Sequence, residues 1–334
     1  MSTEVLQSPK NFGWRKIALD AAILLVAAVV VLAIGEVVLR VKNSSMKNYD
    51  IEMWRYSKEL KFRSPDPVLD HELVRNASAV LQSTTMRTNE WGLRGGPVPP
   101  PHAGQRRILV LGASITLGWG VPEEQTMTAR LQRRFDDDRA DAIVLNAGIG
   151  NYNTERYVEL FFRRLTALEP TDILVHYFLR DAEVLEPGSG NWFLRNSELA
   201  LTLWQVSNKL FGSTGEKSIT DHYRAIYAPD YPGLGTVKSE LTKLRDDAKQ
   251  HGIRLYLAMV PDVHNLGAYE LGFAHRTVEK MADDLGYKHI DLLPAFGKLT
   301  PQEVWAMPGD PHPNALGHEI MANALYPFLQ LHER

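Results

Sequence analysis

Residues Arg107 to Val121 read RILVLGASITLGWGV, an apolar β-run that ends in a glycine turn and presents Ser114 just ahead of a helix start. A serine lifted above the carboxyl end of a parallel strand is placed to act as a nucleophile, and the N–H groups opening the next helix can stabilise a developing oxyanion. Its hydroxyl is a weak nucleophile at its own pKa and needs a base. The segment GDPHPNALGH, Gly309 to His318, offers His312 as that base, with Asp310 available to hold the imidazole tautomer and stabilise the imidazolium. Asp310 could equally cap a turn ahead of Pro311, and Gly309 carries no carboxylate. A second acid–base pair, Asp221-His222, has no serine block attached. No two-histidine helical spacing or dense carboxylate cluster points to a metal, and Gly118-Trp119-Gly120 lacks the Lys-Ser/Thr of a phosphate loop. The chemistry on offer is serine-based acyl chemistry with no cofactor.

Bringing Ser114 and His312 together requires a scaffold, and the chain supplies an alternating one. Strand patterns at Arg107 to Leu111, Ala142 to Asn146, Asp172 to Phe178, Arg254 to Val260 and His289 to Leu293 are separated by helical ones at Glu123 to Phe135, Thr154 to Leu168, Val237 to Gln250 and Tyr269 to Leu285, with Ala315 to Leu329 last. Five β-segments with intervening helices predict an α/β fold, a doubly wound parallel five-stranded sheet of flavodoxin-like type. In such sheets the site lies outside the carboxyl ends of the strands, where Ser114, Gly148 and Arg180 all fall.

Four blocks in this order resemble those of the SGNH (GDSL-type) hydrolases. LGASIT matches the first, with Ser114 as nucleophile and Ala113 where Asp is usual. NAGIGNYNT, Asn146 to Thr154, matches the second, which implies Gly148 as an oxyanion donor. HYFLRDAE, His176 to Glu183, aligns with the third but places Arg180 where the family has its oxyanion-hole Asn. DPHPN, Asp310 to Asn314, is the fourth, in D-x-H spacing. The resemblance implies an SGNH hydrolase fold over Thr84 to Leu331, with Ser114, His312 and Asp310 catalytic and an oxyanion hole of Ser114, Gly148 and Arg180. For Arg180 three roles stay open: a charged oxyanion donor, recognition of an anionic substrate group, or an ion pair with Asp181 or Glu183.

At 334 residues, 23% charged and 44% hydrophobic, the chain has room for one large α/β domain plus an appendage, and its net charge of -3 gives no reason to expect nucleic acid. Cysteine is absent. Ile17 to Leu39 is nearly all apolar and reaches roughly 35 Å as a helix, enough for a hydrocarbon core of about 30 Å. Asp20 and Glu36 stand near its ends and Trp14 suits an aromatic anchor. The run exceeds a signal-peptide core and lacks a small-residue cleavage site, so a transmembrane anchor is expected. Positive charges nearly balance on its two sides. MRTNEWGLRG and the Pro-rich spacer after it resemble the lead-in of a membrane-anchored branch of the family, which implies a single-pass protein with its catalytic domain periplasmic or extracellular.

The expected organisation is a tail at 1–16, the anchor at 17–39, a stalk and lead-in at 40–103 that docks through Asn89, Trp91 and Arg94, and a hydrolase domain at 104–334. An aromatic-rich insertion at about 184–232 carries Leu199, Leu203, Val206 and Leu210 at helical spacing. It is either a capping subdomain with its own small core or a lid that walls the substrate groove or touches the bilayer. The leading functional reading is a serine esterase or acylhydrolase acting on an ester-bearing small molecule, glycan or lipid. O-acyl transfer, typically acetyl, in surface-polysaccharide modification uses the same triad. A non-catalytic binding protein that kept the fold is the reading from another class, motivated by Ala113 and Arg180.

Overall fold

The computed structural model describes residues 12–43, 49–186, 192–211, 219–307 and 312–331. Asp310 lies outside them, as do Gly309, Pro311, the tail up to residue 11 and parts of the insertion. The described residues form two compact units: 12–43 with 192–211, and the remainder.

The first unit is helical. Helix α1, Phe12–Asn43, is long and apolar enough to cross a membrane, and its apolar side chains are exposed along its length.

The second unit begins with the lead-in: helix α2 (Tyr49–Glu59), strands β1 (Lys61–Arg63) and β2 (His71–Leu73), and strands β3 (Ser78–Leu81) and β4 (Thr84–Arg87), two antiparallel hairpins. The sequence shows no strong period here because strands of three or four residues carry at most two inward positions each. Alternation follows: β5 (Arg106–Gly112), the single turn α3 (Ser114–Leu117), α4 (Met127–Asp137), β6 (Ala142–Gly148), α5 (Thr154–Leu160) and β7 (Asp172–Phe178). The insertion contributes α6 (Trp192–Asn196) and α7 (Glu198–Phe211) to the first unit, whereas α8 (Ile219–Ile226) buries Tyr223 and Ile226 in the second. Then come α9 (Pro232–His251), β8 (Arg254–Val260), α10 (Gly272–Leu285), β9 (Lys288–Asp291), two short helices α11 (Leu293–Phe296) and α12 (Pro301–Val304), and α13 (Ala315–Leu331).

Strands β5 to β9 form one parallel sheet in the order β6-β5-β7-β8-β9, the doubly wound flavodoxin-like arrangement. Its central strands β5, β7 and β8 are buried on both faces. Leu109, Leu111, Val175, Tyr177, Leu257 and Met259 join the core under α5, α9, α10 and the lead-in. Their neighbours Ile108, Val110, Leu174, Tyr256, Ala258 and Val260 join a second core with α4 and α13. This is why the strands read as continuous apolar runs rather than as alternating ones. Helix α4 starts four residues later than its apolar pattern, because Thr126 caps it by accepting from the Ala129 N–H after a 3-10 turn at Glu123–Gln125.

The amino ends of three strands are tied by charge. Asp172, fully buried, receives the Arg106 guanidinium at 2.9 Å and that of Arg254 at 2.8 Å. Asp172→Ala leaves two arginines facing an empty site and should cost about 3–5 kcal/mol, read as a lower Tm. Because this cluster sits at the end of the sheet opposite Ser114, turnover per folded molecule should be unchanged.

Candidate active site

Strand β5 ends at Gly112, and Ser114 is the first residue of α3, with Ala113 as N-cap. One helical turn cannot hold itself, so its environment does. A Cβ on Gly112 would stand 2.1 Å from Thr116 Oγ1, and one on Gly148 would stand 2.1 Å from the Leu117 amide nitrogen. Only hydrogen at both positions lets α3 settle between β5 and β6. Asn146 Nδ2 donates to Thr116 O at 2.8 Å. Thr116 Oγ1 and His176 Nδ1 are hydrogen-bonded at 2.9 Å, and burial pushes the His176 pKa down to about 3, so its ring is neutral. Arg94, itself buried, donates to Gly118 O and Val121 O at 2.6 Å each, closing the turn that follows the serine. Arg94, which the sequence offers as a docking residue, thus binds the lead-in to the sheet, whereas the hydrogen bonds of Asn89, also offered, run within the lead-in. Asn89 Oδ1 accepts from the Trp91 and Leu93 N–H groups.

His312 reaches the serine from the loop ahead of α13. Ala306 N–H donates to His312 O, Asn314 N–H donates to Val304 O, and Asn314 Oδ1 accepts from Leu316 and Gly317 at the start of α13. Held this way, His312 Nε2 lies 2.7 Å from Ser114 Oγ. Both face a cavity of about 90 Å³ lined on its apolar side by Met53, Ile115, Tyr152, Phe178 and Leu185, and on its polar side by Asn151, Arg180, Asp181 and Glu183. A larger hollow of about 730 Å³ beside α4 and β4 contains neither Ser114 nor His312.

Gly148 is not placed as the resemblance implies. Its N–H donates to Asn146 Oδ1 at 3.0 Å, within the end of β6, and it does not line the cavity. Three residues on, Asn151 does line it, in the left-handed conformation with φ 65°. The lead-in fixes this loop. Tyr56 OH accepts from the Gly150 N–H at 3.0 Å, Lys61 Nζ donates to Gly150 O at 2.7 Å, and His71 Nε2 lies 2.9 Å from the same oxygen. Burial lowers the Lys61 pKa to about 7 and that of His71 to about 4. The sequence alone does not reveal this support of the Gly150 loop, since Tyr56, Lys61 and His71 belong to no motif.

Arg180 follows β7 in a 3-10 turn, 56% exposed, and pairs with Glu183, its Nε 3.1 Å from both carboxylate oxygens and its Nη2 2.8 Å from Oε2. His222 Nε2 meets the same carboxylate at 2.7 Å. Asp221-His222 thus reaches the wall of this cavity through Glu183. Asp181 is buried instead, accepting from the Phe178 N–H at 3.2 Å, and burial pushes its pKa up to about 8.

The profile of the GDSL-like lipase/acylhydrolase family matches residues 110–320, more than half of the chain. No curated protein sequence matches it. Solved structures with a similar fold include TesA, at 15% identity over 68% of this chain and 99% of that one, TM-score 0.43. An R55A mutant of Axe2, an acetyl-xylooligosaccharide esterase from Geobacillus Stearmophilus, aligns at 15% identity over 69% and 95%, TM-score 0.45. A two-domain esterase active on acetylated mannans aligns at 17% over 68% and 49%, TM-score 0.44. With the sheet order, the Ser114–His312 contact and the family profile in agreement, the chain belongs to the GDSL-like lipase/acylhydrolase family.

Proposed function

We propose that the chain is a membrane-anchored serine esterase or acylhydrolase of the membrane-anchored branch, with its catalytic unit on the outer side of the membrane. The observation that carries the chemistry is the 2.7 Å contact between Ser114 Oγ and His312 Nε2 at the cavity. His312 takes the hydroxyl proton as Ser114 attacks the ester carbonyl, then returns it to the departing alcohol. Water resolves the acyl-enzyme by the same route. Asp310 orients His312 in this reading. The oxyanion faces the Ser114 N–H, which opens α3 and so has no intrahelical acceptor, and the Asn151 N–H takes the place expected of Gly148. The small cavity favours a short acyl group such as acetyl, carried on a glycan or lipid that extends out of it. The anchor reading is supported by the length and exposed apolar surface of α1.

The full-length chain in detergent should hydrolyse p-nitrophenyl acetate, and Ser114→Ala or His312→Ala should each lower the rate roughly a thousandfold or more. An undiminished rate in Ser114→Ala would refute the assignment.

Arg180 acts in this reading as a wall residue neutralised by Glu183. Arg180→Ala should therefore change kcat on the neutral ester by no more than a few-fold, since exposed ion pairs contribute about 1 kcal/mol or less. A loss of two to three orders of magnitude in kcat at constant KM would instead assign its guanidinium to the oxyanion.

Asp181 gives a pH signature. With a folded-state pKa raised to about 8, the folded chain keeps a proton that the unfolded chain releases near pH 4. The stability this provides is complete below the unfolded value and disappears as pH rises through the folded one. Asp181→Asn removes the titration, so the fall in Tm between about pH 4 and about 8, measured by thermal melts, should be shallower in the variant.

A further inference from the structure

The anchor helix does more than cross the apolar phase. Glu36 is a carboxylate near the carboxyl end of the run from Ile17 to Leu39, and an unpaired charge so close to hydrocarbon would be costly. It is not unpaired. Ser197 Oγ donates to it at 2.8 Å, the N–H groups of Glu198 and Leu199 at 3.1 and 3.0 Å, and Arg40 Nε at 2.7 Å. Three of these four donors come from the start of α7, so an anchor side chain serves as the cap of an insertion helix more than 150 residues away in sequence. Arg40 also donates to Asn196 O, and Asn43 Nδ2 to Glu198 Oε2, both at 2.7 Å. Leu199 packs over Gly35, where an added Cβ would stand in ordinary contact, 3.7 Å from a Leu199 methyl group.

Beyond this first turn the apolar stripe of α7 turns outward. Leu199 lies against Gly35, but Leu203 and Val206, four and seven residues on, are 58% and 48% exposed, and Trp204 is 46% exposed. The anchor residues around the tether, Ile34, Val37, Val38 and Val41, are exposed too. Fourteen residues span only about 21 Å, too short to cross a hydrocarbon core of about 30 Å. Its polar residues, among them Gln205 and Lys209, would also oppose crossing.

Resting on the proposed anchor, we infer that α7 is an interfacial membrane helix, with the acyl and headgroup boundary of the bilayer covering Leu203, Trp204 and Val206. The bilayer is the occupant because the helix that carries this face is tethered to α1 at residues 35 and 36, beside exposed apolar residues of α1 itself. An aromatic residue on a short amphipathic helix suits that boundary. The anchor and α7 then form one folding unit, and removing α1 would strip α7 of its cap.

The absence of cysteine makes the test direct. Full-length Leu203→Cys and Val206→Cys, with Asp284→Cys on the exposed surface of the catalytic unit as control, would be spin-labelled and reconstituted in phosphatidylcholine vesicles with one-fifth phosphatidylglycerol. Retention of intact protein after alkaline carbonate is read first, and loss from the vesicles overturns both the anchor and this inference. With retention, labels at 203 and 206 should favour collisions with oxygen over a nickel chelate by several-fold relative to 284. Nickel access equal to that at 284 would overturn the interfacial helix while leaving the anchor standing. So would shielding from both reagents, as would dipolar broadening relieved by unlabelled protein, which would make a second copy the occupant. Glu36→Ala in the Leu203→Cys background should keep carbonate resistance but raise nickel access several-fold. No change there would overturn the tether.

Discussion

Everything at the candidate site depends on the close approach of α3 to the sheet. A four-residue helix contributes almost no stability of its own, and Ser114 has a defined position only because the backbones at Gly112 and Gly148 leave no space for side chains between strand and turn. Around that contact the polar groups are spent on holding: Asn146 and His176 from neighbouring strand ends, Arg94 from the lead-in. The neutrality of His176 matters here, because a charge buried beneath the nucleophile would otherwise need a partner. The same constraint explains why the Gly148 N–H is unavailable to a substrate, since the packing that seats α3 also turns that amide toward Asn146.

The lead-in is the second half of this construction. Tyr56, Lys61 and His71 hold the N–H and the C=O of Gly150, and so the peptide groups on both sides of it, and Tyr152 OH donates to His71 O in return. A positive φ at Asn151 is uncommon for a residue with a side chain, and here both flanking positions are tied down, which is how such a conformation persists. Met53 from α2 completes the apolar lining. A segment resembling a connector thus supplies part of the cavity wall and the grip on its loop.

What was legible in the sequence follows from the range of the forces involved. Buried parallel strands must be apolar on both faces, so β5, β7 and β8 show as runs while the partly exposed edge strand β9 does not, and Ser114 and His312 sit at strand and helix ends that the same patterns mark. The grip of Tyr56, Lys61 and His71 on Gly150 is invisible because a lysine with a tertiary partner and an ordinary surface lysine read alike. Only the tertiary contact with Gly150 O separates them. Gly148 was misplaced for a related reason: a motif gives the type of residue near the site but not which of several glycine-like positions turns its amide outward. The insertion showed its helical stripe but not its partner, because its first contact is made with a helix near the other end of the chain.

The two departures from the family pattern can be understood together. Ala113 occupies the N-cap of α3 and offers no side-chain acceptor, so the first amides of that turn are not consumed by a cap. Arg180 introduces positive charge at the cavity, but the Glu183 carboxylate pairs with it at 2.8 Å and also accepts His222 at 2.7 Å. With Asp181 protonated by burial, the wall beyond β7 presents a balanced ion-pair cluster and a neutral acid. The proposed esterase reading therefore rests its oxyanion on backbone amides rather than on the usual Asn side chain.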